Sequence, residues 1–129
     1  MNANQIRVYL RASAVGIAAT LQYHSAQIFS GFDRFFGDRG DARGFVYFLE
    51  HWYQSVLGKA SLLNPGIFYP TQHTLAYSDL LFGFAVPYSF FRALGFSMFT
   101  STEIVIILLT FLSYCVAFVL LYQIGRAHV

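Results

Sequence analysis

From Ile104 to Leu121 the chain runs for 18 residues without a charge. At about 1.5 Å of rise per residue such a helix is about 27 Å long, close to the thickness of a bilayer's hydrocarbon core. The rest of the chain points the same way. Of its 129 residues 57% are hydrophobic, 19% aromatic and only 11% charged, whereas a soluble domain carries about 25% charge. An all-α membrane protein is therefore expected. The formal charge of +2 is too small to argue for nucleic acid. The single cysteine, Cys115, lies inside the apolar run and excludes an intramolecular disulfide and a cysteine-based zinc site.

Two weaker apolar segments come earlier. Leu75–Leu94 carries Pro87 in its interior and Asp79 near its start; the proline is expected to kink a span rather than end it. Arg92 closes that segment, and Gly95–Ser101 makes a short connection. Val8–Phe29 is mixed, with Arg11, Gln22, His24 and Gln27 in it. Its small and polar residues Ser13, Gly16, Thr20, His24, Gln27 and Gly31 follow one helical stripe, which a spanning helix turns toward partner helices. An uncleaved first membrane helix is the preferred reading. The other is a signal peptide with Arg7 and Arg11 as its basic start and Ala14–Leu21 as its apolar region, although no clean Ala-x-Ala follows. Three spans are thus predicted, near residues 8–29, 75–94 and 102–122, with a loop over 30–74.

Arg7 and Arg11 lack an acidic neighbour, whereas the loop's basic residues are interleaved with Asp33, Asp38, Asp41 and Glu50. Long translocated segments weigh little in the positive-inside rule, so the N-terminus is placed inside and the loop outside. The closing IGRAHV reads as a translated sequencing adapter. Residues 123–129 are accordingly expected to be an artefact, and the chain the truncated front of a longer polytopic protein.

Within the loop, Phe45, Phe48, Leu49, Trp52 and Val56 recur at helical intervals, and Arg43, Tyr47, Glu50 and Gln54 form a second, polar stripe. This predicts an amphipathic surface helix over Arg43–Leu57, aromatic side toward the bilayer, weakened at its start by Gly44 and stopped by Gly58. Asn64-Pro65-Gly66 signals a turn and Pro70 breaks any following helix. Ser78 is placed as the cap of the next one.

The order of Gly40-Asp41-Ala42-Arg43, Leu49–Tyr53 (LEHWY), Asn64–Pro70 (NPGIFYP) and Leu75–Asp79 (LAYSD) resembles the N-terminal part of bacterial multi-pass glycosyltransferases of the GT-C type. The branch grouped with YfhO-like membrane proteins is the most similar. The resemblance covers about residues 37–122. It implies residence in the bacterial cytoplasmic membrane and transfer of a sugar from a polyprenyl-phosphate carrier to an acceptor at the outer face. It also implies an acidic catalytic residue just beyond the first span, the place Asp41 occupies.

Glycosyl transfer with inversion needs a base for the acceptor proton and cationic or metal help for the departing phosphate. Asp41 is the candidate base and Arg43 the candidate phosphate ligand; Glu50 and Asp79 complete the substrate-binding set. Each carboxylate has a plainer reading. Asp41 caps the helix that begins near Ala42, Glu50 is a solvated partner of Arg43 or Gln54, and Asp79 merely complements a helix dipole. His51 is an interfacial side chain, and Trp52-Tyr53 and Phe68-Tyr69 are membrane anchors. His24, His51 and His73 lack metal-binding spacing, so no metal ligand is named. A divalent cation between Asp41 and Asp79, brought to one external rim, is the only cofactor this reading admits. The partners are membrane lipid and the lipid-linked donor. The competing function is a non-catalytic membrane protein that binds or transports lipid-linked saccharides with the same loop.

Overall fold

The computed structural model describes residues 3–38, 40–77 and 80–127. Every regular element among them is helical: α1 (Ala3–Tyr23), α2 (Ser25–Phe29), α3 (Asp41–Val56), a 3-10 turn (Thr74–Tyr77), α4 (Phe82–Ala93) and α5 (Met98–Ala127). The chain divides into two units, residues 1–34 with 106–129, and residues 35–105. Helix α5 supplies its opening turns to the second unit and its remainder to the first.

In the first unit, α1 runs antiparallel to the later part of α5. Tyr9 meets the Phe118 and Tyr122 rings edge-on, with centroids 5.9 and 5.5 Å away. Further along α1, Gly16 lies under the Tyr114 ring. At its end His24 Nε2 is 3.2 Å from Thr110 Oγ1. The Thr110 hydroxyl donates to Ile106 O, which leaves His24 as the donor in that pair. Gly16, Thr20 and His24, members of the predicted polar stripe, are the buried residues of this face. Leu10, Val15, Ile17 and Leu21 on α1, with Leu112, Val116 and Leu120 on α5, point outward. The helical ladder passes through His24, whose N–H bonds Thr20 O and whose carbonyl takes the Ile28 N–H. The first helical stretch therefore reaches Phe29, near its predicted end.

In the second unit, α3 occupies the predicted amphipathic stretch and packs on α4. Its buried line is Ala42, Val46, Leu49 and Trp52, with Leu49 fully enclosed. Phe45 and Phe48 are only half-buried and Val56 is exposed, so the inner face is rotated from the one predicted. The cause is a protein neighbour: α4 packs on α3, with Phe84 against Phe45 and Phe82 against Trp52, and Trp52 donates its ring N–H to Leu80 O. Trp52 is thus a core residue rather than an anchor, whereas Phe68 and Tyr69 are exposed. Gly58, at φ +71°, ends α3 with the pair of bonds Gly58 N–H to Ser55 O and Lys59 N–H to Gln54 O. A left-handed residue closing a helix this way takes glycine because a Cβ is strained there.

The loop after α3 is tied back to it. Tyr47 donates to Pro65 O, and buried His51 sets Nε2 3.3 Å from Leu62 O. Asn64 Oδ1 takes the His73 N–H and its amide donates to Ser61. An edge-to-face chain of rings, Phe99–Phe35 and Phe36–Phe45–Phe84 with centroids 5.3 to 5.9 Å apart, links the first turn of α5 to α3 and α4. Phe35 and Phe36 join the two ends of that chain at 4.6 Å.

Among the described residues one helix, over Met98–Gly125, is long and apolar enough to cross a membrane. This matches the predicted third span. Helix α1 has the length without the apolar character, since its polar stripe faces α5. The predicted second span, 75–94, is instead a 12-residue helix beginning at Phe82. The chain before it forms the 3-10 turn at Thr74–Tyr77, and Leu81 takes up a left-handed conformation with φ 46° at the helix entrance. Pro87 is accommodated inside α4, as expected. Ser78 and Asp79 lie outside the described residues.

Candidate functional site

Helix α3 begins at Asp41 because the residue three before it holds the entrance. Asp38 Oδ1 accepts the Gly40 N–H at 2.7 Å and the Asp41 N–H at 2.8 Å. The capping role weighed for Asp41 is therefore performed by Asp38. Asp41 itself sits in the first turn, where the helix dipole favours a carboxylate. It is exposed, and its carboxylate takes no hydrogen bond or ion pair among the described residues. It borders a groove of about 430 Å³ lined by Gly40, Gly44, Phe45, Phe48 and Leu81.

Arg43 stands about 200° further round the helix and borders a second groove. That one measures about 750 Å³ and is lined by Gly44, Tyr47, Phe48, Ile67 and Phe68. Arg43 is exposed and is likewise unpaired among the described residues. Gly44 and Phe48 belong to both grooves and form the ridge between them. At Gly44 a side chain would meet nothing within 4 Å, so the ridge has a low saddle there.

Glu50 is placed differently. It faces α4, where Arg92 grips it through Nε on Oε2 at 2.8 Å and Nη2 on Oε1 at 3.1 Å. Tyr88 donates its hydroxyl to Oε2 at 2.5 Å and Gln54 donates to Oε1 at 2.7 Å. Burial raises the Glu50 pKa, but the hydrogen bonds from Arg92, Tyr88 and Gln54 and the Arg92 charge outweigh it and hold the carboxyl below its ordinary value. Burial, reinforced by the Glu50 carboxylate, pushes the Tyr88 phenol well above its usual range. The fork from Glu50 raises Arg92 further still. Of the two partners weighed for Glu50, Gln54 is present and Arg43 is not. Arg92 Nη1 donates to Phe96 O, and the guanidinium lies over the Tyr53 ring at 5.3 Å.

Asp41 and Arg43 are thus brought to adjoining grooves, Glu50 is withdrawn into an α3–α4 clamp, and Asp79 falls outside the described residues. No group of three or more His, Cys, Asp or Glu side chains suited to a metal occurs among the described residues. Sequence reasoning passed over Glu103. It is fully buried in the second turn of α5, its Oε1 accepting the Phe36 N–H at 2.7 Å and its Oε2 without a partner among the described residues. The signal was available: a lone carboxylate immediately before an 18-residue uncharged run is costly unless held. Comparison with protein-family models, curated proteins and solved structures gives no match to the chain.

Proposed function

We propose that the chain belongs to an integral membrane protein of the bacterial cytoplasmic membrane that handles a lipid-linked saccharide, with the outward edge of α3 as its working surface. One observation carries this reading: an unpaired arginine beside an apolar, aromatic groove, with an unpaired carboxylate one low ridge away. Arg43 suits a phosphate oxygen, and Tyr47, Phe48, Ile67 and Phe68 suit the first isoprene units behind it. Asp41 takes the acceptor's hydroxyl proton as the acceptor oxygen bonds to the sugar's anomeric carbon. The bond from that carbon to the phosphate oxygen breaks, and the phosphate leaves with the electron pair toward Arg43. Membrane residence rests on α5, and we place α1 beside it as a second crossing, its polar stripe covered by α5.

A binding protein without transfer activity is the second reading. The state of Glu50 favours it, because four donors occupy the carboxylate that would otherwise assist Asp41. The two readings separate on two variants assayed in nanodiscs with a polyprenyl-phosphate sugar. Arg43→Gln is expected to weaken carrier binding about tenfold, the loss of one charge-assisted contact. Asp41→Asn is expected to retain binding and abolish transfer. Unchanged binding in Arg43→Gln overturns the groove as the phosphate site, and carrier binding without transfer in the unaltered chain favours the second reading.

A further inference from the structure

Helix α4 has two faces of opposite character. Ala85 and Tyr88 are buried against α3, and Arg92 on the same side is neutralised by Glu50. The other face repeats at four-residue intervals: Phe82, Val86, Phe90 and Leu94, each 60% exposed. Val56 of α3, 74% exposed, adjoins it across a small groove of about 250 Å³ that also contains Trp52 and Ser89. The stripe contains no charge, and no described segment covers it. At 12 residues, α4 is about 18 Å long, well short of the roughly 30 Å needed to cross.

We infer that α4 is an interfacial helix that docks on the bilayer, its Phe82–Val86–Phe90–Leu94 stripe sunk into one leaflet and its ends on the same side. Three observations select lipid as the occupant. The stripe leads within a few residues into Phe96, Met98 and Phe99, themselves exposed, at the entrance of α5, which among the described residues is the helix long and apolar enough to span. The sole cation of α4 is paired with Glu50 and bonded to Phe96 O through three of its five N–H groups, which lowers the cost of holding a charge beside hydrocarbon. Finally, the unpaired charges Asp41 and Arg43 lie on the other helix and Lys59 in the loop beyond it, none of them on α4. An apolar face opposite a polar one is the pattern of a helix lying in the membrane plane. This inference is independent of any chemistry at Asp41 or Arg43.

Trp52, the chain's single tryptophan, stands under the stripe, its ring 5.4 Å from that of Phe82. It reports depth directly in the full chain reconstituted with lipids brominated at different acyl positions. An interfacial α4, seated about 5–10 Å below the headgroups, predicts quenching roughly twofold stronger from shallow than from central bromines. Replacing Phe82, Val86 and Phe90 together by Ser should reduce shallow quenching to near the no-bromine baseline. Should that variant misfold, a thiol-reactive dye on Val86→Cys in a Cys115→Ser background gives the same reading through its emission in vesicles. Strongest quenching from central bromines means that α4 crosses, and overturns the inference. Absence of quenching at every depth, or efficient disulfide pairing of Val86→Cys between chains at high lipid dilution, means that protein covers the stripe and overturns it equally.

Discussion

Arg92 and Glu50, 42 residues apart, meet as a fork on a carboxylate, with N–O distances of 2.8 and 3.1 Å. The pair fixes α4 against α3 and sets which side of each helix remains outward. Because both side chains are about one-fifth exposed, its worth lies between that of surface and buried pairs. Arg92→Lys keeps the charge but loses the planar fork and the bond to Phe96 O. It is expected to cost about 1–2 kcal/mol, measured by thermal unfolding in detergent, and Glu50→Gln in that background should add little.

The same carboxyl gives the acid limb of stability a definite position. Its folded pKa lies below its unfolded value, so between the two the unfolded chain binds more protons and stability rises with pH. The contribution is complete above the unfolded value of about 4.5 and is lost as pH falls from there through the folded value. Melting temperature measured down that range should fall in the unaltered chain, and the slope should flatten in Glu50→Gln. Equal slopes would remove Glu50 from the account.

Gly44 separates helix stability from ligand access. Glycine inside a helix costs about 1 kcal/mol relative to alanine, and a Cβ there meets open space. Gly44→Leu should raise the melting temperature while filling the saddle between the Asp41 and Arg43 grooves. Carrier binding measured with the same protein should drop at least severalfold; stability gained with binding intact would mean that the saddle is not used.

Glu103 is expected to be exacting about its replacement. Glu103→Gln keeps an acceptor for the Phe36 N–H, whereas Glu103→Leu leaves that N–H buried and unpaired, a loss of about 1–3 kcal/mol. Hydrogen exchange at Phe36 distinguishes them: faster in the leucine variant, little changed in the glutamine one.

How far this was legible in the residues varies with the range of the interaction. The bounds of α3 follow from local periodicity and from Gly58, and both are found within a residue or two of their predicted places. The stripe through Gly16, Thr20 and His24 was readable because small and polar groups in an otherwise apolar helix announce a neighbour. Long-range choices were not. Nothing near Glu50 in sequence marks Arg92, 42 residues on and in another helix, as its partner, whereas Arg43 shares its helix face. The start of α4 was misplaced because composition reads as apolar from Leu75 onward, while the backbone turns left-handed at Leu81. At the candidate site, Asp41 and Arg43 were singled out by residue type and resemblance. That they open onto separate grooves is a matter of how far around the helix two residues carry the chain.

The Tyr114 ring over Gly16 has a consequence for how α1 and α5 find each other. A Cβ at Gly16 would fall 2.3 Å from the ring, so only a bare backbone admits it. Sliding α1 by one turn would bring Ala12 or Thr20 under the ring, and both carry the carbon that Gly16 lacks. The notch therefore works as an index pin. Two helices packing side by side can slide past one another, and these lock at the axial alignment in which the tyrosine drops in, with His24 then in reach of Thr110.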